Sequence, residues 1–178
     1  YGFLRQYLTT GNTKWFELAD DLATHVKDID IYHTSLDKNE YNGGLFWHTD
    51  HYLQAFTSSH RSYSKYQASD AYQDHAGGGG PGGQHCYTTG LYLHYCLTGN
   101  HTSKDAVLTL SNWISHIYEG SGTCLELLLA FKNRHVTGYK NHFTGQYPLD
   151  RGIANYANAL LDSFELTQQQ DYLTRVQN

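Results

Sequence analysis

A short polar turn recurs between apolar segments, and this repeat restricts the possible folds more than any other feature of the sequence. The turns are Thr10-Gly11-Asn12, Thr98-Gly99-Asn100 and Thr167-Gln168-Gln169. Apolar residues on both sides of each turn recur at three- and four-residue steps, which is the spacing of a helix face and not of a strand. Glycine can end one helix in a left-handed conformation, and Asn or Thr can cap the next. The sequence therefore predicts three antiparallel helical hairpins.

The apolar stripes give the expected helices. We expect them near residues 13–27, 86–97, 103–118 and 152–166, with two more near 45–58 and 123–132. In the first hairpin the stripe of the second helix consists of Trp15, Leu18, Leu22 and Val26. Trp15 and Trp113 both lie within such stripes, so both are expected in the core.

Long loops at about 28–84 and 119–150 separate the hairpins, and the turns are unevenly spaced along the chain. Solenoid repeats keep a nearly constant period. The pattern instead favours an all-α fold of stacked antiparallel helical hairpins, a partial (α/α)n toroid with long loops at one rim. We expect one domain over residues 1–178, incomplete because three or four hairpins cannot close a ring of six or seven. A site is expected at the long-loop end, opposite Gly11 and Gly99.

Composition narrows the possible partners. A net charge of −5 argues against nucleic acid, and no apolar run reaches the ~18 residues of a membrane span. The chain has 16 Tyr, 12 His and 3 Trp, a profile that suits a neutral groove for sugars. Cys86, Cys96 and Cys124 form no CxxC pair and are expected to be buried thiols. Secretion and a cytoplasmic location both remain open.

The first long loop carries the densest chemistry. His48, His60, Arg61 and Tyr63 are the residue types that β-elimination of a polyuronide requires, namely a base, an acid and a neutraliser of the uronate carboxylate. We expect Arg61 and His48 to neutralise the carboxylate, and His60 or Tyr63 to serve as base and acid. Substrate contacts are expected from Tyr41, Trp47, His51, Tyr52, His85 and Tyr87.

Other chemistries have weaker signals. His48 and His51 share a helical spacing, but no HExxH pattern accompanies them. No cofactor is required, and calcium at Asp28 and Asp30 is an option. Hydrolysis of a glycosidic bond needs two carboxylates across a cleft. None of the candidate carboxylates lies in a recognisable catalytic motif; they are Asp30, Asp37, Asp50, Glu126 and Asp150. A toroid glycoside hydrolase and a non-catalytic helical-repeat binding module are the alternatives.

Three segments carry a resemblance to a known family. They are DIDIYHT at 28–34, YNGGLFWHTDHY at 41–52 and GGQHCYTTGL at 82–91. They resemble the C-terminal α/α toroid of exo-acting rhamnogalacturonan lyase-like proteins. This resemblance implies β-elimination on a pectic backbone of alternating galacturonate and rhamnose. It also implies β-sandwich domains that precede the toroid in a longer chain.

Overall fold

The computed structural model describes residues 1–36, 41–45, 83–120, 123–132, 134–135 and 151–177. These residues form seven α-helices: α1 (Gly2–Thr10), α2 (Thr13–His25), α3 (Thr89–Thr98), α4 (His101–Glu119), α5 (Cys124–Lys132), α6 (Arg151–Thr167) and α7 (Gln170–Gln177). The described part of the chain is 78% helical and contains no strand, only an isolated antiparallel bridge between Ile31 and Leu45. The all-α prediction is confirmed.

Three hairpins form at the predicted turns, since α1 packs on α2, α3 on α4 and α6 on α7. Gly11 and Gly99 both adopt a left-handed conformation with φ of 69°. The third turn uses Gln168, which is not a glycine but has φ of 58°. The side chains of Asn12 and Asn100 accept backbone N–H groups and so cap the helices that follow. These local signals explain why the sequence predicts the turns correctly.

The hairpins stack in chain order. α3 contacts both helices of the first hairpin, and α6 contacts both helices of the second. At the start of α1, the backbone nitrogen of Tyr1 lies against Gly90, near the start of α3. The end of α4 lies beside the start of α6, because the Tyr156 hydroxyl donates to the Glu119 carboxylate at 2.5 Å. The three short turns therefore lie at one end of the stack.

The core is centred between α4 and α6. Val107, Leu110 and Ile114 on α4 are fully buried, as are Ala159 and Leu160 on α6. These side chains exclude water from the middle of the stack, and their burial is the main source of its stability.

Serine hydroxyls let α4 and α6 approach closely. The Ser163 hydroxyl donates to the Ser111 hydroxyl at 2.8 Å, which in turn donates to the Ala159 carbonyl at 2.8 Å. Each of these buried hydroxyls therefore has a partner, as a buried polar group requires.

His94 joins the first two hairpins. Its side chain on α3 is fully buried. One ring nitrogen lies 2.8 Å from the Ser103 hydroxyl on α4, and the other lies 2.8 Å from the Asp20 carboxylate on α2. Three helices from two hairpins are thus tied together through one imidazole.

The helix boundaries differ from expectation in three places. α3 begins at Thr89 and not near 86, because residues 83–85 form a 3-10 turn and the Thr88 and Thr89 hydroxyls donate to Asp162 at 2.7 and 3.0 Å. α2 ends at His25 and continues as a π-helical turn over Val26–Asp30. Leu45, expected to start a helix, instead forms the bridge with Ile31. Residues 46–58 lie outside the described residues. The helix expected near 123–132 is confirmed as α5.

The core assignments also need correction. α2 buries Ala19 and Ala23, whereas Leu18 and Leu22 are each 48% exposed. The expectation that these two leucines form the buried stripe was wrong, because the neighbouring face of α2 turns inward: Ala23 packs into the core cluster and Ala19 lies in the wall of a cavity. Trp113 is buried as expected, but Trp15 is only half-buried.

The cysteines divide into two classes. Cys86 is buried as expected, but Cys96 and Cys124 are exposed, and none of the three forms a disulfide. The expectation of three buried thiols was therefore wrong for two of them.

Candidate functional site

A cavity of about 700 Å³ opens at the end of the hairpins opposite the short turns. We call it the end cavity. Its walls come from the start of α1, the end of α2, the segment leading into α3 and the first half of α6. Most of the lining is apolar: Leu4, Ala19, Leu22, Ala23, Val26, Leu45 and Leu91. A volume of this size with a few polar groups is typical of a small-molecule site.

The polar groups of the end cavity come from three separate segments. Besides Tyr1 at the start of α1, they are Asp30, His85, Tyr87, Thr88, Thr89, Asn155 and Asn158. The rings of His85 and Tyr87 meet edge to face, with centroids 6.0 Å apart and planes at 75°. Carboxylate, imidazole, phenol and amide groups together offer both donors and acceptors to a ligand.

The π-helical turn after α2 separates two acidic residues. The Asp30 side chain is 5% exposed, lines the end cavity and lies 3.4 Å from the His25 ring. Asp28, two residues earlier, is exposed. The two carboxylates considered for calcium therefore occupy different surroundings. Within the described ranges no cluster of three or more His, Cys, Asp and Glu side chains is arranged to hold a metal ion.

A buried polar group supports the wall formed by residues 86–91. Asp162 accepts from the hydroxyls of Thr88 and Thr89. Burial raises the pKa of the Asp162 carboxyl, although the two hydroxyl donors act in the opposite direction. Burial, together with the negative charge of Asp162, raises the pKa of Cys86 to about 12. Because the thiolate is the nucleophilic form, Cys86 is suited to packing and not to catalysis.

The structure places three of the predicted site residues. His85 and Tyr87 line the end cavity. His85 also lies at the end opposite Gly99, where the hairpin geometry predicted it. Tyr41 lies in the turn at 41–43, where its carbonyl accepts from the Gly44 backbone N–H at 2.9 Å, and it does not line the cavity. The others lie outside the described residues: Trp47, His48, His51, Tyr52, His60, Arg61 and Tyr63.

Sequence reasoning missed Asn155 and Asn158. They lie three residues apart and so share one face of α6. That spacing is visible in the sequence, but it does not show that the buried Asn155 and the exposed Asn158 face a cavity. Their neighbours in the cavity come from α2 and from residues 85–90, which only the folded chain brings close.

Comparisons with protein-family models, with curated proteins and with solved structures gave no significant match. The fold and the site define the class of this protein in structural terms: an all-α stack of helical hairpins with a ligand-sized cavity at one end. Among the helices that the structure describes, none has both the length and the apolar character that crossing a membrane would require.

Proposed function

We propose that this chain is a carbohydrate-active enzyme domain, a polysaccharide lyase that cleaves an acidic, rhamnogalacturonan-like pectic glycan by β-elimination at the end cavity. One observation carries the proposal. His85 and Tyr87, selected from the sequence as substrate contacts, line a cavity of about 700 Å³ at the long-loop end of the hairpins. Function often concentrates where loops meet a rigid scaffold.

The chemistry of β-elimination matches the residues of the first long loop. A base removes the proton from the carbon that bears the uronate carboxyl group, and its electron pair forms a carbon–carbon double bond. The glycosidic oxygen then leaves and takes a proton from an acid. His60 or Tyr63 would act as base and acid, while Arg61 and His48 would neutralise the carboxylate as charge builds on it.

Chain connectivity supports the location of this chemistry. Leu45 lines the end cavity, and His48 follows it by three residues. Three residues of extended chain span at most ~11 Å. The loop that carries the proposed catalytic groups therefore begins at the cavity wall.

The partial toroid is part of the same proposal. The described hairpins repeat one arrangement, in which the first helix of each hairpin packs on both helices of the preceding hairpin. Leu8 and Leu18 on the first hairpin are exposed, and a further hairpin in a ring would cover such a surface. β-Sandwich domains in a longer chain, implied by the resemblance, complete the proposed architecture. The mechanism requires no cofactor.

The test is lyase activity on rhamnogalacturonan and on polygalacturonate, followed by the absorbance of the unsaturated uronate product. We expect Arg61→Lys to lower turnover on the order of 10²-fold, because lysine keeps the charge but loses the two-pronged grip on a carboxylate. His85→Ala should raise KM. His101→Ala is the matched control, since His101 begins α4 at the short-turn end. This variant should leave turnover and KM unchanged. Circular dichroism checks the fold.

Each alternative function predicts a different result. Reducing ends without unsaturated product would identify a glycoside hydrolase. Glycan binding that His85→Ala abolishes, without turnover by the wild type, would identify a non-catalytic binding module. An unchanged rate in Arg61→Lys would show that Arg61 belongs to the scaffold.

A further inference from the structure

A second concave surface lies outside the end cavity. It has a volume of about 870 Å³ and lies between the outer face of α4 and two short stretches, residues 34–35 and 42–43. We call it the outer groove. Leu45 belongs to the end cavity, whereas Asn42 and Gly43, three and two residues earlier, belong to the outer groove. The two sites therefore lie close to each other along the same short stretch of chain.

One wall of the outer groove is a polar face of α4. Thr109, Asn112 and His116 follow one another at three- and four-residue steps, so they share a face, and all three are exposed. The Nδ1 atom of His116 lies 2.8 Å from the backbone carbonyl oxygen of Asn112. A carbonyl only accepts, so Nδ1 carries the proton, and Nε2 of the neutral ring is an acceptor.

The opposite wall is held in place by backbone hydrogen bonds. Tyr32 donates to the Gly44 carbonyl at 2.8 Å, and Gly43 donates to the Tyr32 carbonyl at 2.9 Å. Gly43 has φ of 72°, and a Cβ there would lie 3.5 Å from the methyl group of Thr109. The left-handed backbone at Gly43 thus sets this wall directly against α4. Buried Ile31 and Leu45 anchor the segment to the core.

The chemistry of the outer groove suits a neutral polyhydroxylated ligand. Hydroxyl and amide groups come from Thr34, Asn42, Thr109 and Asn112, and the half-buried Ile117 supplies apolar surface beside them. Glu126 is the one charged residue in the described lining apart from the titratable ring of His116. The described lining contains no lysine or arginine to pair with a uronate carboxylate, so this groove and a uronate-cleaving site favour different sugars.

We propose that the outer groove is a second glycan-binding site, which takes neutral sugar residues of the polymer that is cleaved at the end cavity. This inference rests on the proposed function. A second contact on the same polymer raises the effective concentration of the substrate at the first site. The groove would therefore act on binding and not on the chemical step.

The experiment measures binding of the full chain to two probes, a neutral galactan and polygalacturonate, by affinity electrophoresis. Asn112→Ala combined with His116→Ala removes polar contacts, and Thr109→Trp blocks the groove from an exposed helical position. Gln6→Ala, an exposed amide on α1, is the matched control. We expect both groove variants to weaken galactan binding by about tenfold, the equivalent of one or two lost hydrogen bonds. Polygalacturonate binding should stay within about twofold.

Turnover separates this proposal from the function on which it rests. On a branched pectic polymer the groove variants should raise KM and leave kcat unchanged, whereas on polygalacturonate neither constant should change. If the wild type does not retain galactan, or if the groove variants bind it as well as Gln6→Ala does, the second site is refuted while the lyase proposal stands. Equal loss on both probes would also refute it, because the groove would then not be a separate site. Urea midpoints show whether each variant is folded.

Discussion

Cys86, Cys96 and Cys124 differ in exposure, and this difference should be measurable in solution. Cys86 is buried and burial raises its pKa to about 12, whereas the other two thiols are exposed. We expect a disulfide reagent at neutral pH to modify Cys96 and Cys124 rapidly and Cys86 only after unfolding, because the thiolate is the reactive form. Thiol titration with and without urea checks this. If all three thiols of the native protein reacted rapidly, this result would contradict the described packing around Cys86.

Asp162 makes stability depend on pH with a defined sign. Burial raises the pKa of its carboxyl above the ordinary value of an aspartate, so the folded state binds this proton more tightly than the unfolded state. The free energy of unfolding therefore falls as pH rises from the unfolded pKa through the folded pKa. Asp162→Asn has no carboxyl to titrate, so it does not lose stability in this way as pH rises. The amide oxygen of the new side chain can still accept from Thr88 and Thr89.

We expect the stability of Asp162→Asn relative to the wild type to increase as pH rises above about 4, the ordinary pKa of an aspartate. Urea unfolding curves at several pH values measure this difference. A difference that is constant with pH would show that folding does not change the pKa of Asp162, and one that decreases as pH rises would show that the fold favours the charged carboxylate.

At the scale of elements, the three turns form a natural comparison. Gly99 has φ of 69°, and a Cβ at this position would have no atom within 4 Å. Gly99→Ala therefore introduces backbone strain but no steric clash. We expect it to destabilise the protein by about 1 kcal/mol. Gln168 already bears that strain at φ of 58°. Gln168→Gly should therefore cost little, since relief of strain offsets the greater entropy of the unfolded chain.

Urea unfolding of the two turn variants, followed by circular dichroism, gives the comparison. Gly11→Ala is a second test, because Gly11 also has φ of 69° and open space around it. Equal destabilisation by Gly99→Ala and Gln168→Gly would show that the turn conformation is not what the mutations disturb.

At the scale of the whole molecule, the end cavity can be tested by filling it. Ala19 lines the cavity, so Ala19→Leu places extra methyl groups in open space and should leave the free energy of unfolding unchanged or raise it. Ala159 is fully buried between α4 and α6 and does not line the cavity. Ala159→Leu should cost about 1–3 kcal/mol through overpacking.

Thermal unfolding of the two alanine variants measures the difference. Ala19→Leu should also weaken substrate binding, because its side chain occupies ligand space. A comparable loss of stability in both variants would mean that the cavity does not have the described volume.

The local features could be predicted from the sequence. The three hairpins, their capped turns and the helix at 124–132 depend on interactions between residues a few positions apart, so periodicity and turn residues revealed them. His85 could likewise be assigned to the end opposite Gly99, because a hairpin of known direction sets which residues lie at each end. For the same reason the predicted position of α3 in the chain is confirmed, although the helix begins at Thr89 and not near residue 86.

What the tertiary structure decided is which surface each helix buries and which distant segments meet. α2 buries Ala23 in the core and Ala19 in the cavity wall, whereas Leu18 and Leu22 were expected to be buried, because the fit between helices and not hydrophobicity alone selects the buried face. Asp30 enters the end cavity through a π-helical turn that no periodicity predicts. Asn155 reaches the same cavity from α6, more than 100 residues away along the chain. Contacts across such separations depend on the packing of whole hairpins, and that packing is not encoded in any local pattern.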